Sequence, residues 1–161
     1  MAGSTTKKVL IRRFERESLT GYVSPQGYQQ PSGVELMSTE GAVTVVPYQE
    51  IKAVCFVRDF EGAQSDSGRK VFLTRPKMDG VWIRMQLRDG EILEGVMPND
   101  LLQVSSLGFT VSPPDPNSNH QKLFVPRAAL AVVHVLGVVG SPLRREKKPK
   151  PASTDQIRLF D

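Results

Sequence analysis

Val81-Trp82-Ile83-Arg84-Met85-Gln86-Leu87-Arg88, then Asp89-Gly90, then Glu91-Ile92-Leu93-Glu94-Gly95-Val96-Met97, is the stretch on which the fold turns. In its first eight residues apolar positions alternate with largely polar ones, the period-two pattern of a strand with one buried face. Asp89-Gly90 supplies a tight turn able to hold positive φ, so the whole reads as a β-hairpin. Moving outward, short runs rich in Val, Ile, Leu and Phe are broken every few residues by Gly, Pro, Asp or Ser, and helical periodicity is almost absent. Three more strands are expected at 108–112, 122–126 and 130–136. Towards the N-terminus five are expected at 9–14, 19–23, 33–37, 42–47 and 51–57.

The two sets of five carry the same signals in the same order. Leu19-Thr20-Gly21 aligns with Leu93-Glu94-Gly95, Gly33 with Gly108, and Pro47-Tyr48-Gln49-Glu50-Ile51 with Pro126-Arg127-Ala128-Ala129-Leu130. This predicts a duplicated module of roughly 55 residues. Gly21 and Gly95 fall in mid-strand, where a missing side chain permits a sharp bend. Pro47 and Pro126 end a fourth strand and fix φ for a tight turn into the fifth. Both fifth strands are apolar on both faces, so each needs cover from the other module or from another chain. Modules this small bury only about 60% of their unfolded surface, which favours packing the two together. The expected organisation is a first module over 7–60, a linker over 61–78, a second module over 79–138 and a flexible basic tail over 139–161.

Composition narrows the function. The chain has 161 residues and a net charge of +4. Residues 1–140 hold 15 basic and 14 acidic side chains, so most of the basicity lies beyond them, in a stretch containing Pro142, Pro149 and Pro151. A nearly neutral folded part lowers the case for a nucleic-acid groove. A lone cysteine, Cys55, and two histidines, His120 and His134, argue against a disulfide framework and a metal centre. No segment approaches the roughly 18 unbroken apolar residues of a membrane helix, and residues 1–8 have no apolar signal core. A cytoplasmic bacterial protein that binds no membrane is expected.

The strand order, with its Asp-Gly turn, bent second strand and Pro-led single turn before the fifth, resembles the Sm-like fold. Residues 87–96, Leu-Arg-Asp-Gly-Glu-Ile-Leu-Glu-Gly-Val, look like the opening of that family's first motif. Residues 52–62 and 109–119 are similar to stretches of an uncharacterised bacterial family with two such modules. The resemblance implies two tandem five-stranded Sm-like, SH3-type small barrels packed together, an all-β class. Sm proteins grip uridine-rich RNA with an Asp and an Asn near the second-to-third strand loop and an Arg-Gly element before the last strand. Here Asn99-Asp100 is followed by Leu101-Leu102, and neither last-strand entry holds Arg-Gly. RNA binding is therefore a rival reading, not the favoured one.

Other constellations have structural explanations. Arg12-Arg13-Phe14-Glu15-Arg16 has the Arg-x-x-x-Arg spacing of cyclic-di-GMP-binding PilZ domains but lacks their Asp/Asn-x-Ser-x-x-Gly partner; a hairpin turn with solvated charges is expected. Tyr22, Tyr28 and Tyr48 could stack bases, yet tyrosines on half-buried strands commonly serve as amphipathic cover. Cys55 and His134 occupy equivalent positions of two apolar strands, where a buried thiol and a core or interface histidine are expected. Phe60 is expected to plug the seam between the modules beside them. His120 is placed in a polar loop. No phosphate loop, nucleophile elbow or metal-ligand cluster occurs, so no catalytic residue, cofactor or small-molecule substrate is assigned, and the chain is not expected to be an enzyme.

At the C-terminus, Gln156-Ile157-Arg158-Leu159-Phe160 resembles the Gln-Leu-Ser/Asp-Leu-Phe peptide by which bacterial proteins dock on the DNA-polymerase sliding clamp, with Arg158 replacing the usual Ser or Asp. Gln156, Ile157, Leu159 and Phe160 would be its contact residues, on a flexible tether. Docking of the same residues on the core or on a sister chain is the alternative. Three functions stay open: a non-catalytic scaffold acting through strand edges or tail, an Sm-like RNA binder, and a clamp-tethered DNA-maintenance accessory.

Overall fold

The computed structural model describes residues 6–25, 27–61, 69–115 and 117–140. All ten expected strands form: β1 (Lys7–Arg13), β2 (Arg16–Val23), β3 (Val34–Met37), β4 (Val43–Val46), β5 (Ile51–Val57), β6 (Gly80–Leu87), β7 (Ile92–Met97), β8 (Gly108–Val111), β9 (His120–Pro126) and β10 (Leu130–Val139). One-turn 3₁₀ helices at Tyr48–Glu50 and Arg127–Ala129 lead into the fifth strand of each half. The prolines before them adopt almost the same backbone, φ −65° and ψ 143° at Pro47 against φ −64° and ψ 147° at Pro126. Both lie near the fixed φ of the pyrrolidine ring.

Pairing registers in the halves coincide. Val9 pairs with Gly21 and Phe56, and Ile83 with Gly95 and Val135. Leu10 faces Thr20 and Cys55, while Arg84 faces Glu94 and His134. Tyr22 pairs with Met37 as Val96 does with Ser112. Gly21 and Gly95 are held to glycine by close approach: a Cβ at Gly21 would lie 2.5 Å from the Met37 carbonyl oxygen, and one at Gly95 would run into the Val111 side chain.

The expected pair of closed barrels does not form. The strands make a seven-stranded sheet, in order β4-β3-β2-β1-β5-β9-β8, and a three-stranded sheet, in order β10-β6-β7, neither of them closed. The Val96–Ser112 bridge, with reciprocal N–H···O bonds of 3.0 and 2.9 Å, links β7 of the small sheet to the end of β8. The physical reason lies at β9. Instead of meeting β10 of its own half, it pairs antiparallel with β5 of the other, bringing Val54 opposite Phe124, Cys55 opposite Leu123 and Phe56 opposite Lys122.

This pairing makes β1, β5 and β9 a sheet with apolar residues on both faces. One face gives Val9, Ile11, Ile51, Val54, Phe56 and Phe124 to a core shared with β2, β3 and β4. The other gives Leu10, Ala53, Cys55, Val57, Leu123 and Val125 to a core shared with β6, β7 and β8. The two-faced apolarity of β5 is thereby satisfied. At about 25 cal/mol per Å² of apolar surface removed from water, this double burial supplies much of what holds the halves together.

Candidate functional site

Two regions gather chemistry: the junction between the halves and the outer edges of the sheets. At the junction, Glu91 follows the Asp89-Gly90 turn and points at β1 and β5 of the other half. Arg12 Nη2 donates to both of its carboxylate oxygens at 3.0 and 3.2 Å, Lys70 Nζ lies 2.8 Å away, and Lys52 Nζ bridges Glu91 and Asp89. Burial alone would raise the Glu91 pKa, but hydrogen bonds from Lys52, Lys70 and Arg12 outweigh it and bring it down to about 2. The hydrogen bond from Lys52 likewise lowers Asp89. Beside them, the Arg88 guanidinium stacks 3.8 Å from the Phe14 ring centroid and donates to Gln49 O and Ala128 O, tying together the two 3₁₀ turns.

A second acid, Glu94, is buried and satisfied by Phe72 N–H at 3.0 Å, Trp82 Nε1–H at 3.2 Å and the Arg84 guanidinium at 2.8–2.9 Å. Burial would raise its pKa too, and these donors outweigh it to lower it. Both carboxylates are thus held ionised by permanent partners, unlike a general acid, whose pKa is raised towards neutrality.

Cys55 is buried, and burial pushes its thiol up to about 12. That is the opposite of an activated nucleophile. His120 corrects the expectation of a loop residue: it opens β9 opposite Val57, is buried, and its N–H donates to Ser118 Oγ at 2.8 Å. Cys55 and His120 border one cavity of about 20 Å³ with Arg12, room for little more than a single water. His134, expected at the seam beside Cys55, stands exposed on β10 instead, because among the described residues no strand of the other half covers β10 as β9 covers β5. Phe60 packs against the core containing Cys55 and meets the Tyr22 ring edge-on at 5.4 Å.

Arg12, expected in a solvated turn, is tied into the junction, while Arg13 donates to Glu17 O at 2.8 Å. Tyr28 packs edge-on against Phe56 and Phe124, and buried Tyr48 donates to Tyr28 O at 3.4 Å, so both rings are spent on packing. Asp100 caps the turn at Leu101–Gln103, accepting from Leu102 N–H at 3.0 Å and leaving Leu101 and Leu102 almost wholly exposed. The tail residues Gln156, Ile157, Leu159 and Phe160 lie outside the described residues.

The sequence did not reveal the charge network or the clasp at Asn119. That clasp accepts from Arg58 N–H and Asp59 N–H through Oδ1 and donates through Nδ2 to Asp59 O at 2.8 Å, extending the β5–β9 seam. Its partners lie some 60 residues away, and no local pattern encodes such a contact.

The outer edges differ from the seam. β4 pairs only with β3, and β10 only with β6, among the described residues. Val43 and Val45 on β4 and Val132, Val135 and Val138 on β10 are exposed, Val135 at 66%. At the far end of β10, Arg75 Nη2 donates to Val138 O at 2.8 Å, while residues 132–136 have no such cover among the described residues. Exposed edges with apolar side chains are templates for pairing with another strand. Among the described residues no helix is long and apolar enough to cross a membrane, and no group of three or more His, Cys, Asp or Glu is placed to hold a metal.

Residues 5–137 match the model of a family described as a family of unknown function, DUF6982. No curated protein matches the chain, and neither does any solved structure.

Proposed function

The chain belongs to the DUF6982 family, whose function is unknown, and we propose that it acts there as a non-catalytic scaffold, recruiting protein by adding strands to its two open sheet edges. The observation that carries this reading is the exposure of valines along β4 and β10, on strands whose counterparts at the seam are buried. β-Augmentation uses such edges: main-chain hydrogen bonds supply affinity and alternate side chains supply specificity. Support for a non-catalytic role comes from the junction, where each carboxylate is engaged by fixed cations and the thiol is buried.

The likeness of each half to an Sm-like module rests on strand order and on the shared registers, and those registers favour an internal duplication. The cytoplasmic, bacterial setting we assign follows from the sequence resemblance. RNA recognition is disfavoured by the packing of Tyr28 and Tyr48 and by exposed leucines at the loop where a base-binding pocket would be needed.

The test is affinity capture from lysate, with and without nuclease treatment in parallel, using the full chain and a Val43→Lys/Val135→Lys variant. Loss of captured proteins, copies of the chain itself included, in the variant is expected. Capture that is unchanged by the substitutions, or abolished by nuclease alone, would overturn the edge reading. Phe160→Ala in the same assay isolates any contribution of the C-terminal peptide.

A further inference from the structure

The turns between the second and third strands differ in the two halves. In the first half the turn folds in: Gly27 is buried, and Tyr28 packs edge-on against Phe56 and Phe124. In the second half the corresponding turn, Leu101–Gln103, stands off, with Leu101 86% and Leu102 95% exposed. Hydrogen bonds from Leu102 N–H and Gln103 Nε2 to the Asp100 carboxylate hold it in that position. Beside it lies a cavity of about 300 Å³, walled by Tyr28 from the first half and by Met97, Val104, Phe109, Thr110 and Lys122 from the second. A cavity between two packed units, with apolar and aromatic walls and a few polar groups, has the character of a binding site. We propose that this cavity receives residues 156–160 of the same chain, with Leu159 and Phe160 seated in it. The proposal stands apart from the edge reading, since it uses neither β4 nor β10 as a pairing strand.

Three observations select this occupant. The first is where the described chain ends. Val138 pairs with Val81, and Val81 with Met97, so β10 and β7 leave the small sheet at the same end. They are two strand spacings apart there, about 10 Å, and Met97 is itself part of the cavity wall. Residues 141–156 stand between β10 and the apolar part of the peptide. A chain of that length spans about 50 Å when extended and about 20 Å as a coil, so it reaches the cavity in either case. Tethering then raises the effective concentration to the order of millimolar. The second observation is an open stretch of backbone. Ser112 exchanges both its hydrogen bonds with Val96. By the alternation of a strand, Thr110 turns its N–H and C=O to the same side, where β7 has ended and Pro98 has no N–H to offer. Among the described residues no strand pairs with Thr110 on that side, and an extended peptide lying there supplies both partners. The third is charge. Lys122 Nζ lies 5.0 Å from the Phe56 ring centroid, with no carboxylate at ion-pair distance among the described residues. Asp161 directly follows Phe160, so seating Leu159 and Phe160 brings an acid to the one wall that carries a cation.

The experiment uses the full chain. Amide hydrogen exchange compares wild type with Leu159→Ala/Phe160→Ala, whose substitutions lie outside the folded core. The Thr110 amide should exchange at least tenfold more slowly in wild type, by the same factor at low and high protein concentration. Equal exchange in the two proteins would overturn the docking. A difference that grows with concentration would overturn it as a contact within one chain and assign the cavity to the peptide of a second copy. A disulfide locates the contact. Under mild oxidation Val104→Cys/Leu159→Cys should close within one chain at least tenfold faster than Val43→Cys/Leu159→Cys, whose first position lies on β4 at the other end of the large sheet. Cys55 is buried and takes no part. Equal rates, or linked dimers in place of a closed monomer, would overturn the assignment.

Discussion

β5 and β10 are counterparts by register, yet one lies between two cores and the other borders solvent. Their sequences, Ile51-Lys52-Ala53-Val54-Cys55-Phe56-Val57 and Leu130-Ala131-Val132-Val133-His134-Val135-Leu136, are comparably apolar. Among the described residues, β5 has a fourth strand, β9, beside it and β10 has none. The same holds for β9 and β4. The difference shows that burial of a two-faced strand is decided by its neighbour and not by its own composition. The charges agree: Arg12 and Lys52, which hold Glu91 at the junction, correspond to uncharged Gln86 and Ala131 beside the open edge. Beside the closed seam, ion pairs tie β1 and β5 to the turn at residues 89–91, and among the described residues the corresponding positions beside the open edge are uncharged.

The contrast can be broken most severely at its most buried ring. Phe124→Ala removes a fully buried side chain that touches Tyr28 and Tyr48, and should cost about 3–5 kcal/mol of unfolding free energy. Val45→Ala, at the corresponding position of β4, should cost less than about 0.5 kcal/mol in the monomer. Urea unfolding of both variants checks the pair; equal losses would mean that the two strands do not differ as described.

Next in size is Glu91. Glu91→Gln leaves Arg12, Lys52 and Lys70 without their shared anion and should cost about 2–3 kcal/mol, less than a wholly buried pair because the cluster retains some contact with water. The carboxyl titrates at about 2 in the folded chain against an ordinary value of 4.5. The stabilisation is therefore complete above pH 4.5 and is lost as pH falls towards 2. Urea midpoints of wild type should decline through that window more steeply than those of Glu91→Gln.

A smaller effect tests the equivalence of the halves. Gly21→Ala and Gly95→Ala each force a methyl group into a neighbouring strand and should each cost about 1–3 kcal/mol. Thermal unfolding that ranks one as neutral would separate the halves at this point. The smallest effect is on reactivity. With its thiol pushed up to about 12 and no exposure, Cys55 should resist a thiol reagent in the folded chain and react fully in denaturant.

The strand inventory was legible in the sequence because period-two alternation, the Asp89-Gly90 turn and the two prolines are local signals. Gly21 and Gly95 stood out locally as bend points, whereas the structure holds both to glycine by the close approach of a neighbouring strand. That the fifth strands need cover from the other module was legible too, but which of the two would be covered was not, because both advertise the same need and nothing in either names its neighbour. His134 was placed with Cys55 on the strength of alignment, and the alignment is correct in register; the error lay in assuming equal surroundings. The Glu91 cluster was invisible since its members, Arg12, Lys52, Lys70 and Glu91, are single charges spread over 80 residues and brought together only where β1 and β5 of one half meet the Asp89-Gly90 turn of the other.

The central claim is that the β5–β9 seam is closed within the chain while β4 and β10 are open edges among the described residues. Amide hydrogen exchange of the dilute, isolated chain reads both at once. The account predicts β5 and β9 amides strongly protected and outward-facing amides of residues 43–46 and 132–136 exchanging rapidly. Protection of those two edge stretches equal to that of β5 and β9, or rapid exchange of β5 and β9, would contradict it.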